Sequence, residues 1–154
     1  MVANLPDQVV GGAFDHLHQE EGWPVVSIGK AVAAALVETP EPVRPSRIGS
    51  ALNDAIDAVG AAVVLVHHIE VLFAPSLAAH PVKLLAACAR NRAVVAHWPG
   101  AFHPATALGA THRLTYAEPG HSEWFAHAAA DLAVVYPHAD AWNPRVARTT
   151  SPSE

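Results

Sequence analysis

The sequence predicts an α/β domain, a parallel sheet covered by helices on both faces to give three layers. Three observations carry that expectation. Ala61-Ala62-Val63-Val64-Leu65-Val66 and Ala93-Val94-Val95-Ala96 are continuous apolar runs without polar alternation, the pattern of strands buried on both sides. Between them lie stretches with helical spacing, best seen in Ile48, Leu52, Ile56 and Val59. The chain has 154 residues, the size of one domain of about 100–200 residues.

Each element follows from local signals. Gln8-Val9-Val10 reads as a brief strand closed by Gly11-Gly12, and Ala13 to Glu21 as a helix stopped by Gly22. Pro24 to Ile28 reads as the second strand, and Lys30 to Glu38 as a short alanine-rich helix. The run Thr39-Pro40-Glu41-Pro42-Val43-Arg44-Pro45 is too rich in proline to be helical. Ser46 is placed to cap a helix that runs to Val59, and Gly60 ends it. After the strand at 61–66, a helix is expected from Pro81, since proline suits a first helical turn. Arg92 to His97 is the next strand, followed by a loop through Gly109. Arg113 to Tyr116 reads as a short strand, Pro119 to Ala130 as containing a short helix, and Leu132 to Tyr136 as the last strand. The Pro/Ser/Thr/Arg-rich end from Trp142 is expected to be disordered from Arg148, giving one domain over 1–147 and a tail over 148–154.

Composition narrows the function classes. Only 15% of residues are charged and 51% are hydrophobic. Such a surface fits a face buried against a partner, and equally an alanine-rich composition. Net charge is −5, and the nine Lys and Arg residues are scattered. Autonomous nucleic-acid binding, which needs a basic stripe, is not expected. The single cysteine, Cys88, sits in an apolar helical pattern and fits a reducing cytoplasm. The start of the chain carries no signal-peptide pattern, and no apolar run approaches a membrane span, so a cytoplasmic protein is expected.

The segment Val63-Val64-Leu65-Val66-His67-His68-Ile69-Glu70 has the layout of a Walker B strand, four apolar residues leading into polar ones. In that motif an acidic side chain at the strand end holds Mg²⁺. Here His67 takes that position, and imidazole does not supply the anionic oxygen that Mg²⁺ prefers. Glu70 follows three residues later and is the one acidic candidate. Two further segments stand out: Arg90-Asn91-Arg92, and Leu114-Thr115-Tyr116-Ala117-Glu118-Pro119-Gly120-His121 after Arg113.

In this order, these segments resemble the BrxF family, small P-loop-containing proteins of type 3 BREX phage-defence systems. The resemblance covers roughly Val25 to Tyr136 and is strongest over Leu65 to His121. It implies a P-loop NTPase-like fold, partners among other phage-defence proteins, and self-association. The family's Gly-rich loop, which cradles phosphate with backbone N–H groups and a lysine, has no counterpart. Its expected place is Val9-Val10-Gly11-Gly12-Ala13, where Gly11 and Gly12 are its only remnant. Lys30 in Ser27-Ile28-Gly29-Lys30 follows the second predicted strand and is set aside. With cradle and metal-holding acid both gone, each worth several kcal/mol in phosphoryl transfer, neither ATP nor Mg²⁺ is expected as a cofactor. The resulting expectation is a pseudo-NTPase, a docking module without catalysis; the alternative is a weak nucleotide-binding protein or NTPase with an atypical site that uses Glu70.

The remaining candidates carry paired readings. Arg90 and Arg92 suit an action across a subunit interface, or a charge set against a helix C-terminus. Tyr116, Glu118 and His121 suit a shaped loop for a partner, or a structural turn. Trp98, Trp124 and Trp142 suit interface anchors or core. Of the eleven histidines, His67 and His97 end neighbouring strands, with His68, Glu70 and His103 just beyond. Convergence of three of these on zinc would make a small metal-dependent enzyme. No HxH, HExxH or CxxC spacing supports it.

Overall fold

The computed structural model describes residues 1–106, 111–128, 132–138 and 141–148. Its centre is a three-stranded parallel sheet in the order β1 (Val25–Ser27), β2 (Val63–His67) and β3 (Ala93–Ala96). The register pairs Val25 with Leu65 and Leu65 with Val95, so these three side chains share one face. Val64 and Val66 point the other way. Both faces are covered: Val64, Leu65 and Val66 are fully buried. Each such side chain is worth about 1.5–3 kcal/mol of burial.

Helix α1 (Asp7–Glu21) covers the Leu65 face with Val10 and Phe14, one turn apart. The opposite face packs against α2 (Ile28–Leu36), α3 (Arg44–Asp57) and α4 (Pro81–Cys88). In α3, Ile48, Leu52 and Ile56 form the buried stripe the spacing predicts, and α4 begins at Pro81 as expected. Burial pushes the Cys88 thiol up from its ordinary value, with nearby Asp57 adding to the shift, which suits a core cysteine held as the thiol.

Several boundaries differ from the sequence reading. Gln8-Val9-Val10 is not a strand. It belongs to α1, which starts after Pro6, and Gly11 and Gly12 lie inside that helix. Burial of Val10 and Phe14 against Leu65 outweighs the β preference of two valines and the weakness of two glycines. Pro45 sits in the first turn of α3, and Ser46 is inside it, donating its hydroxyl back to the Val43 carbonyl at 2.8 Å. The helix ends at Asp57, so Val59 lies beyond it and is 39% exposed.

The parallel sheet also stops sooner than predicted. After β3 the chain builds a separate antiparallel sheet from β4 (Ala101–His103), β5 (Arg113–Tyr116) and β6 (Phe125–Ala128). The helix expected within 119–130 is therefore a turn followed by a strand. Pro119-Gly120 makes that turn: Gly120 has φ 94, and the His121 N–H donates to the Glu118 carbonyl at 3.0 Å. A hairpin of β7 (Ala133–His138) and β8 (Ala141–Arg148) completes the fold. Residues 142–148, read as part of an irregular end, are thus mostly strand, and 149–154 lie outside the described residues.

The segment Met1 to Ala3 joins the hairpin to the parallel sheet, with Met1 and Ala3 bonded to β7 and Val2 to the β3 side. Val2 bridges His97 on one side and Val135 on the other, both in parallel. Its N–H donates to the Ala96 carbonyl at 2.8 Å and its carbonyl accepts from Trp98 N–H at 2.7 Å. β7 therefore runs in the same direction as β3, with one short segment between them. Asn4 then ties in the second sheet: its side-chain amide donates to the Phe102 carbonyl at 2.9 Å and accepts from the Phe102 N–H at 2.6 Å. No helix among the described residues is long and apolar enough to cross a membrane.

Candidate functional site at the carboxyl edge of the sheet

Ser27, His67 and His97 sit side by side where the three parallel strands end. Ser27 pairs with His67, and the His97 N–H donates to the Val66 carbonyl at 2.8 Å. By register they continue the Val25, Leu65, Val95 row and face α1. In open α/β sheets this edge is where ligands bind, and the N-terminus of the following helix is the usual place for a phosphate.

In this chain that place is closed. β1 ends at Ser27 and α2 begins at Ile28, with no loop between them. The Gly29 N–H, one of the donors a helix N-terminus offers, donates to the His68 carbonyl at 2.8 Å. A side chain at Gly29 would meet that carbonyl at 3.2 Å, so the close approach explains the glycine. His68 reaches this position through a left-handed backbone, φ 53, a conformation histidine adopts more readily than most residues. Its ring turns back onto β1, with Nδ1 3.1 Å from Ser27 Oγ, and lies against the His67 ring with centroids 4.0 Å apart.

This geometry corrects the placing of the phosphate loop. Because Val9 to Ala13 is helix, the first strand-to-helix junction of the chain is Ser27-Ile28-Gly29-Lys30. Gly11 and Gly12 lie inside α1, more than a dozen residues before that junction, and Lys30 is exposed.

Burial lowers the His67 pKa from its ordinary value, with His68 adding to the effect, and Glu70 and Asp15 oppose it. Glu70 opens a short 3-10 turn, Glu70–Phe73, whose Leu72 and Phe73 are core residues. His97, 4% exposed, faces an oxygen at each ring nitrogen: Asp7 Oδ1 at 3.3 Å from Nδ1 and the Leu5 carbonyl at 3.3 Å from Nε2. His103 lies on the second sheet, its Nε2 3.0 Å from Thr115 Oγ1. Thus His67 has the His68 ring on one side and His97 as its strand neighbour, whereas His103 belongs to the second sheet. Among the described residues, no three His, Cys, Asp or Glu side chains are gathered to hold a metal ion.

The other candidates are dispersed. Arg92 binds the end of α3, donating to the Ile56 carbonyl at 3.0 Å and pairing with Asp57, which makes it a helix C-terminal clamp. Arg90 is exposed. Tyr116 stacks on Phe73, centroids 3.9 Å apart, at the edge of a cluster with Trp98 and Phe125. Glu118 and His121 are exposed in the β5–β6 turn, and Trp124 beside them is 43% exposed. Arg113 stands at the other end of β5, about 10 Å along the strand. Trp98 is fully buried, with its indole N–H donating to the Thr115 carbonyl at 2.8 Å, and is core. The Trp142 side chain lies outside the described part.

Sequence reasoning missed Ser27 and the role of the His68 backbone. A strand running into a helix without turn residues was the available signal for the first; the second depends on a carbonyl that no side-chain pattern reports. Compared with family models, curated proteins and solved structures, the chain has no significant match to any of them.

Proposed function

We propose that this chain is a non-catalytic, protein-binding pseudo-NTPase, an accessory subunit of a BREX-like phage-defence system. The observation that carries the non-catalytic part is the closed β1–α2 junction. A nucleotide phosphate needs several convergent N–H groups at such a turn. Here there is no loop to provide them, and the Gly29 N–H is already bonded to the His68 carbonyl. His67 in place of a metal-holding acid removes the second requirement. The defence-system part is supported by the ordered segments Arg90-Asn91-Arg92 and Tyr116 to His121. The exposed β5–β6 turn, with Glu118, His121 and Trp124, is the surface this reading gives to a protein partner.

The test has two arms. Calorimetric titration with Mg-ATP is expected to give no saturable heat, and co-expression with the other components of such a system is expected to yield a complex that Trp124→Ala weakens. Micromolar Mg-ATP affinity lost on Glu70→Gln would replace this reading with that of an atypical nucleotide-binding protein.

A further inference from the structure

Between α1 and the sheet lies a cavity of about 330 Å³. Its floor is formed by Val95 of β3, by Val2 and by Val135 of β7, and α1 roofs it with Val10, Ala13 and Phe14 among others. It exists because α1 is set over β1 to β3, while the sheet continues past β3 through Val2 to β7. It is a pocket open on one side and not an interior void, since voids in folded interiors rarely exceed the size of a water molecule. Among the described residues that line it, Tyr136 is the one whose side chain bears a polar atom. Ordered water needs two to four polar partners, and the described walls offer the Tyr136 hydroxyl alone. Val9 lines the cavity and is still 42% exposed, so the space is open to solvent on that side.

We propose that this cavity binds a neutral apolar small molecule with a hydrocarbon part of about ten carbons. The size follows from scale: a dry cavity of about 150 Å³ holds benzene, and this one is roughly twice as large. The walls also exclude a peptide occupant. A helix is about 10 Å across, too wide for this volume, and an extended segment would bring N–H and C=O groups against walls that leave them unpaired. The ligand's polar group, if it has one, faces outward at Val9 or reaches the Tyr136 hydroxyl. This site is independent of the β1–α2 junction and stands whether or not that junction is closed.

The test uses 1-aminonaphthalene, a ten-carbon probe whose emission rises in apolar surroundings, titrated into the full chain. Saturable one-to-one binding is expected, displaced by decanol and at least tenfold less well by decanoate, whose carboxylate resists burial. Val95→Phe fills the cavity from its floor and Ala13→Leu from its roof. Each is expected to weaken probe binding at least tenfold while thermal unfolding stays cooperative. Binding is compared in each variant that retains the parent's circular dichroism, and the parent titration stands on its own. It is overturned by non-saturable probe emission, by equal affinity in folded filled variants, or by light scattering that shows a dimer whose dissociation is required before the probe binds.

Discussion

Gly100 joins the two sheets at a point where there is no room for a side chain. A Cβ there would overlap the Thr115 carbonyl oxygen and lie 2.9 Å from the Thr115 carbonyl carbon and 3.0 Å from Tyr116 Cα. All three are backbone atoms of β5, so relief requires moving a strand. The same Thr115 carbonyl accepts the indole N–H of the fully buried Trp98 at 2.8 Å, and any shift that relieves the clash loosens this bond. Overpacking costs about 1–3 kcal/mol and a weakened hydrogen bond adds about 1 kcal/mol. Gly100→Ala is therefore expected to lose about 2–4 kcal/mol, or roughly 10 °C in Tm for a domain of this size. Urea unfolding followed by tryptophan emission measures it. Gly12→Ala is the control of opposite sign: the glycine lies inside α1 with open space where a Cβ would stand, and alanine is expected to add about 0.5–1 kcal/mol. A Gly100→Ala protein within about 0.5 kcal/mol of the parent would refute the close approach between β5 and the β3–β4 connection.

Two further predictions concern the joins and the histidines. Asn4→Ala, which removes both bonds to Phe102 at a residue with φ 61, is expected to cost about 1–2 kcal/mol in urea unfolding, and Asn4→Asp, which sets a carboxylate oxygen against the Phe102 carbonyl, at least as much. Burial lowers the pKa of both His67 and His127 from the ordinary 6.5, with His68 and His80 respectively adding to it. The unfolded chain then binds protons first, so stability is fully present above pH 6.5 and falls as pH drops below it toward the folded values. Urea midpoints compared at about pH 7.5 and pH 5.5 are expected to decline, and His127→Gln to reduce the decline; a flat profile in the parent contradicts the assignment.

How much of this was legible depends on which physical term decided each element. β2 and β3 announce themselves because burial on both faces permits only apolar residues. The α3 stripe and the Pro81 start of α4 are equally direct, since spacing and proline chemistry act locally. α1 was half missed because Val9-Val10-Gly11-Gly12 reads locally as strand and turn, whereas tertiary burial of Val10 and Phe14 decides in favour of helix. Pro6-Asp7 carried a helix-start signal that outranked the two glycines. β6 was read as helix because Ala126 and Ala128 favour one, yet pairing with β5 across the Gly120 turn prevails. The link through Met1 to Ala3 is three residues long, too short to leave a periodicity to read. At the candidate site, the sequence shows that no Gly-rich loop ending in Gly-Lys-Ser/Thr is present, but the strand-to-helix junction where one would sit was not legible. Placing it depended on the first strand, and the first strand was misassigned.

The central claim is that the His68 carbonyl occupies the helix N-terminus at which a nucleotide phosphate would bind. The most direct measurement is the Gly29 amide signal in a ¹⁵N–¹H spectrum, followed through hydrogen exchange and through addition of Mg-ATP. The account predicts a protected amide whose shift is unchanged at millimolar nucleotide. Rapid exchange at Gly29, or a shift that saturates with Mg-ATP, would contradict it.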